Sequence, residues 1–86
     1  MAVSVISFFQ PGCMGCMEQG PINHEVAQAL DVTIDEIDAL RNPQYVRQYV
    51  LKVTPTTILI QDGTVKERFE GVVHREQLEG AIKKYL

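Results

Sequence analysis

The chain has 86 residues, a formal net charge of −3, and 45% hydrophobic against 22% charged residues, the balance of a globular domain rather than a disordered or fibrous one. A chain of this length buries little more than about 60% of the surface its unfolded state exposes, so a single domain over residues 1–86 is expected. The 8 basic residues are scattered among 11 acidic ones and form no stripe for phosphates, no apolar run approaches the roughly 20 residues that span a bilayer, and the first residues lack a basic n-region with a cleavage site; the expectation is a cytoplasmic monomer that binds neither nucleic acid nor membrane.

In chain order, residues 2–9 form an apolar, β-branched and aromatic run of strand length, closed by Gln10-Pro11-Gly12. From residue 13 to 30 the spacing changes: Ile22, Val26 and Leu30 recur every fourth position on one helical face, and Gly20-Pro21 predicts a kink within that helix. Val32 and Ile34 alternate with polar neighbours through residues 31–37, as on a short half-buried strand. Asn42-Pro43 reads as an N-cap with proline at the first helical position, and Val46, Tyr49 and Val50 supply an apolar stripe to a helix ending near Lys52.

Residues 54–60 are a β-rich run with proline confined to its entrance. Asp62-Gly63 separates it from a strand over 65–70, a hairpin signal, and Leu78, Ala81, Ile82, Tyr85 and Leu86 keep helical spacing from 75 to the end. The order is β-α-β-α-β-β-α, an α/β chain. A strand-helix-strand unit demands a parallel pair and the hairpin an antiparallel one, so a four-stranded mixed sheet flanked by three helices is expected.

Two cysteines are too few for a disulfide scaffold, and Cys13-Met14-Gly15-Cys16 is the constellation that reads directly as chemistry. Two intervening residues on the first turn of a helix let the sulfurs bond while leaving the small ring open to attack by another thiol. Cys13 falls where strand hands over to helix, where free amides and the macrodipole favour an anion, so its pKa is expected below the free-cysteine value. Cys16, nearly one turn further in, is expected to be more buried and to act as the resolving thiol. The same spacing is half of a zinc site, but zinc needs two more ligands and the chain offers only His24 and His74 beside the pair.

With the CxxC following the first strand, Pro21 eight residues beyond Cys13, Thr54-Pro55-Thr56, Asp62-Gly63, and Gly71 before the last helix, nearly the whole chain resembles thioredoxin-fold proteins, in the compact glutaredoxin-sized version. The resemblance implies a thiol-disulfide oxidoreductase in which Cys13 attacks a protein disulfide and Cys16 resolves the mixed intermediate. It also implies substrate contacts from Gly12, Met14, Gly15, Thr54 and Pro55, and electrons from a separate reductase, with no cofactor or metal in the chain. It carries over a cis-proline loop packed on the dithiol; on base rates a trans proline opening a strand is the alternative.

Departures from the family pattern matter too. Its Trp-Cys-Gly-Pro-Cys becomes Gly12-Cys13-Met14-Gly15-Cys16, which leaves potential and partner open. Its buried acid in the redox strand falls at Ser7, whose hydroxyl cannot act as a base near neutral pH, so proton transfer needs water or another group. Where a glutaredoxin places its glutathione-binding Gly-Gly-Asp, this chain has Glu70-Gly71-Val72-Val73-His74, which makes glutathione dependence the weaker alternative, beside a metal-holding CxxC module.

Among other residues, His24 lies about 12 Å along the helix from Cys16, too far for a base, and reads as a surface residue. His74 reads as a cap or an exposed side chain. Tyr45 and Tyr49 are i,i+4 neighbours expected to pack on the sheet, one of Phe8 and Phe9 is expected in the core with the other shielding the disulfide, and Met14 offers an adaptable apolar contact.

Overall fold

The computed structural model describes residues 3–86, in the order β1 (Ser4–Phe9), α1 (Met14–Leu30), β2 (Ile34–Asp38), α2 (Pro43–Gln48), β3 (Thr56–Gln61), β4 (Thr64–Glu70) and α3 (Arg75–Lys83). The strands form one sheet in the order β2-β1-β3-β4, with β1 and β2 parallel and the other two pairings antiparallel. This is the mixed four-stranded sheet with three helices that the element order predicts. Ala2, the first residue of the predicted first strand, lies outside the described residues.

Several boundaries move, each for a physical reason. β2 begins at Ile34 rather than at 31 because the chain is still closing α1: Asp31 takes a left-handed C-cap conformation, and its N–H and that of Val32 both bond to Ala27 O. α2 ends at Gln48 rather than near Lys52. Val50 turns to φ +50°, and the Arg68 guanidinium from β4 donates to the carbonyls of Tyr49 and Val50, taking the acceptors that a further turn would use. α3 ends at Lys83, where Tyr85 and Leu86 close tighter turns onto Ile82 and Lys83. β3 begins at Thr56, after the proline that cannot donate to a ladder. Asp62 and Gly63 both have positive φ, 55° and 75°, the primed turn that matches the twist of a two-residue hairpin.

The two faces of the sheet are covered differently. On one, Val5 of β1 and Leu59 of β3 meet Val26 of α1, Leu78, Ala81 and Ile82 of α3, and Val73 just before it, all buried; Ile22 and Leu30 pack around this cluster. On the other, Phe8 is fully buried beneath Tyr45 and Tyr49, whose ring centroids lie 5.8 and 5.7 Å away. The tyrosines thus pack on the sheet as expected. The stripe assigned to α2 does not: Val46 and Val50 are exposed, because α2 is one and a half turns long and its contact falls to the aromatic pair.

Candidate active site

β1 delivers the chain to the sheet's end at Phe9, and the Gln10-Pro11-Gly12 turn carries it into α1 with Cys13 as the N-cap residue, in extended conformation. Cys13 and Cys16 are joined by a disulfide with their Cα atoms 5.2 Å apart. At the N-terminus of an α-helix the first amides have no helical acceptor. Here the Cys16 N–H donates to Cys13 Sγ at 3.1 Å, so the sulfur fills the role that a serine or aspartate oxygen fills in ordinary caps. The Thr54 hydroxyl donates to the same sulfur at 3.4 Å, and Thr54 O lies 3.4 Å from it. Both donors converge on Cys13, together with the positive end of the 17-residue helix, and all three favour negative charge on that sulfur when the bond is open. Both cysteines are half-buried, so the greater burial expected for Cys16 is not seen at this level; hydrogen bonding distinguishes the two sulfurs instead.

The Thr54-Pro55 bond is cis. Pro55 is buried against the dithiol turn, where a Cβ on Gly15 would stand 3.0 Å from Pro55 Cδ and 3.4 Å from Val72 Cγ2. A side chain at Gly15 would wedge the helix turn off this platform, which accounts for glycine between the cysteines. The platform is tied together: the Gly71 N–H donates to Pro55 O at 2.8 Å, and Gln19 of α1 holds Val73 through both backbone groups, accepting from its N–H at 2.8 Å and donating to its carbonyl at 3.1 Å.

Gln19 begins a buried polar network absent from the expectations above. Its amide donates to Asn23 Oδ1 at 3.0 Å, and Asn23 Nδ2 in turn donates to Ser7 Oγ at 2.9 Å and reaches Glu36 Oε2 of β2 at 3.5 Å. Ser7, Gln19 and Asn23 are all buried, as is Thr57, which pairs with Ser7 across the β1–β3 ladder. These residues border a cavity of about 340 Å³ that reaches the dithiol and is lined by Ser7, Cys13, Cys16, Gly20, Asn23 and Glu36 among others. A signal was present in the chain: positions 19, 23, 26 and 30 share one helical face, and its first two members are amides.

The residues singled out from the sequence gather here. Gly12, Cys13, Cys16 and Pro55 line the cavity, Gly15 meets Pro55, and Thr54 bonds to Cys13. Met14 and Met17 stand exposed at 82% and 72%, too open for core residues and free for contact with another molecule. Phe8 is the core phenylalanine, and Phe9 lines the cavity beside the cysteines. His24 is exposed, and His74 is the N-cap residue of α3, with its backbone carbonyl accepting from Leu78 N–H and no side-chain cap bond. Among the described residues no group of three or more His, Cys, Asp or Glu side chains stands close enough together to hold a metal ion.

A disulfide-bonded cysteine pair at a helix N-terminus, backed by a cis-proline on a mixed four-stranded sheet, defines a thioredoxin-fold domain. The thioredoxin family model matches residues 2–84, and the chain belongs to the thioredoxin family. It is 31% identical over 84 residues to the chloroplastic thioredoxin Y2 of Arabidopsis thaliana, covering 95% of this chain and 50% of that protein. It is 33% identical over 82 residues to a thioredoxin of Chlamydia trachomatis, covering 94% of this chain and 80% of that one. The chain therefore spans about half the length of the plant relative. Among solved structures, thioredoxin-2 of the malaria parasite, described as a component of its protein secretion machinery, superposes with a TM-score of 0.91 at 26% identity, over 96% of this chain and 82% of that one.

Proposed function

We propose that this chain reduces disulfide bonds in partner proteins, with Cys13 as the attacking thiolate and Cys16 as the resolving thiol. The observation that carries the reading is the convergence of the Cys16 amide and the Thr54 hydroxyl on Cys13 Sγ at the start of α1, an environment that stabilises a thiolate. Cys13 Sγ attacks a substrate sulfur and the substrate's other sulfur leaves as a thiol; Cys16 then attacks Cys13, closing the ring and freeing the remaining substrate thiol. A polypeptide substrate lies against Gly12, Met14, Gly15, Thr54 and Pro55, with the exposed methionine as an adaptable apolar contact. A separate reductase returns two electrons to the ring, and the chain works as a cytoplasmic monomer without a cofactor of its own. Family membership supports disulfide-containing proteins as the substrate class.

The test is dithiothreitol-driven reduction of insulin, followed by precipitation of the free B chain. Wild type accelerates it, whereas Cys13→Ser is expected to fall to the uncatalysed rate; equal rates for the two proteins would sink the reading. Equilibration of the pair against redox buffers reads the direction of flow. A potential near about −270 mV fits a reductant, and one near about −120 to −180 mV an oxidant.

A further inference from the structure

Resolution of a mixed disulfide requires Cys16 to lose a proton, and the polar side chain that β1 contributes to the cavity Cys16 lines is the Ser7 hydroxyl, which is no base near neutral pH. We propose that Glu36, on the neighbouring strand β2, is the proton acceptor for the Cys16 thiol, acting through water in the cavity that both residues line. The inference rests on the exchange chemistry proposed above.

Three geometric facts converge on this carboxylate. First, among the described residues lining the cavity, Glu36 is the one carboxylate, and the two cysteines are the other ionisable groups. Second, the parallel register sets Glu36 opposite Ser7, and Asn23 Nδ2 spans the two, at 2.9 Å from Ser7 Oγ and 3.5 Å from Glu36 Oε2, which orients the carboxylate toward α1. Third, a Cβ at Gly20 would stand 3.9 Å from Glu36 Oε2, so the carboxylate lies against α1 at the position four residues beyond Cys16. Residues four apart on a helix share a face with Cβ atoms about 5–6 Å apart, which puts the carboxylate one turn from the Cys16 side chain. Water in the shared cavity can bridge that gap, since about 340 Å³ is ample for several molecules at about 30 Å³ each. Glu36 itself is exposed to solvent, so a proton taken from within can pass outward.

In the resolving step the Cys16 proton passes through water to Glu36, and the Cys16 sulfur forms a bond to Cys13 Sγ. The Cys13–substrate bond breaks, and its electron pair leaves on the substrate thiolate, which takes up a proton from Glu36 or from solvent. The protein dithiol is thereby oxidised by two electrons and the substrate disulfide reduced by two. The other charged groups near Glu36 are Asp38, one pleat along the same face of β2 and engaged with Leu40 N–H and Arg41, and His24, next to Asn23 on α1 and exposed.

The test uses the full chain, reduced, and the aromatic disulfide 5,5′-dithiobis(2-nitrobenzoate), followed by stopped-flow absorbance from pH 4 to 9. The first thiolate released reports attack by Cys13, and the second reports resolution by Cys16. In Glu36→Gln the first phase is expected to stay at the wild-type rate. The second is expected to slow at least ~10-fold at pH 7, less than the ~10²–10⁴ of direct proton transfer because a water intervenes. The wild-type second phase should lose rate toward acid pH, and that acid limb should vanish in Glu36→Gln and return in Glu36→Asp. A second phase in Glu36→Gln that matches wild type across the range overturns the proposal, as does equal slowing of both phases, which marks a structural effect. Absence of the first phase in wild type would instead remove the exchange activity itself, and the proposal with it.

Discussion

The layer between the sheet and α1 has two ends built on opposite chemistry. Away from the dithiol, Val5, Val26, Leu59, Leu78 and Ile82 form a dry cluster between the sheet, α1 and α3. One pleat along the same strands toward Cys13, β1 and β3 turn to Ser7 and Thr57, and α1 turns to Asn23 and Gln19, equally buried but polar. The apolar end contributes stability in proportion to the area it hides, and it does not care about direction. The polar end costs desolvation unless every group finds a partner, and in return it fixes orientation: Gln19 sets Val73, and Asn23 sets Ser7 and Glu36. Among its described members Thr57 Oγ1 is the buried atom left without a partner. One end of the layer thus holds the fold together, and the other holds the surroundings of the cysteine pair in register.

Substitutions that separate the two ends test this division. The largest effect is expected from Leu78→Ala, which empties a fully buried site in the apolar cluster and should lower unfolding free energy by about 2–5 kcal/mol. Exchange rates of the folded fraction should stay unchanged; a parallel loss of rate would show that the two ends are not separable. Gln19→Ala should cost less, about 1–3 kcal/mol, because it strands the buried N–H and carbonyl of Val73. Unlike Leu78→Ala it should also slow exchange, since the loop behind Pro55 and Gly15 loses its tether, and denaturant melts run beside insulin assays would register both.

The smallest effect belongs outside both ends, at the surface cluster where Glu67 accepts from the Tyr85 hydroxyl and pairs with Lys84. The hydrogen bond from Lys84, with that of Tyr85, holds the Glu67 carboxyl below its ordinary value, while Glu67 raises both Lys84 and Tyr85. A lowered carboxyl stabilises the fold above its unfolded pKa, and that contribution fades as pH falls through the folded value. For raised Lys84 and Tyr85 the contribution is full below their unfolded pKa values and fades as pH rises through the folded ones. Glu67→Gln should therefore flatten the dependence of Tm on pH at both extremes. The difference should disappear near 1 M salt, where the Debye length is about 3 Å, and should leave exchange untouched.

What could be read from the chain divides along a similar line. Local signals carried through: the apolar run of β1, the Cys13 cap, the Asp62-Gly63 turn and the face of α3 each depend on residues a few positions apart. Features set by distant partners did not. The end of α2 is decided by Arg68, eighteen or nineteen positions away. The cis Thr54-Pro55 bond accompanies the packing of Pro55 against Gly15, a contact between residues far apart in the chain. Glu36 enters the site only through the β1–β2 register, which no local periodicity encodes.

The account turns on charge settling on one sulfur of the pair. Alkylation of the reduced protein by iodoacetamide across pH, with the modified cysteine mapped by mass, reads this directly. Cys13 is expected to react first, with a half-point below the free-thiol value of about 8.5. A half-point at that value, or earlier labelling of Cys16, would contradict it.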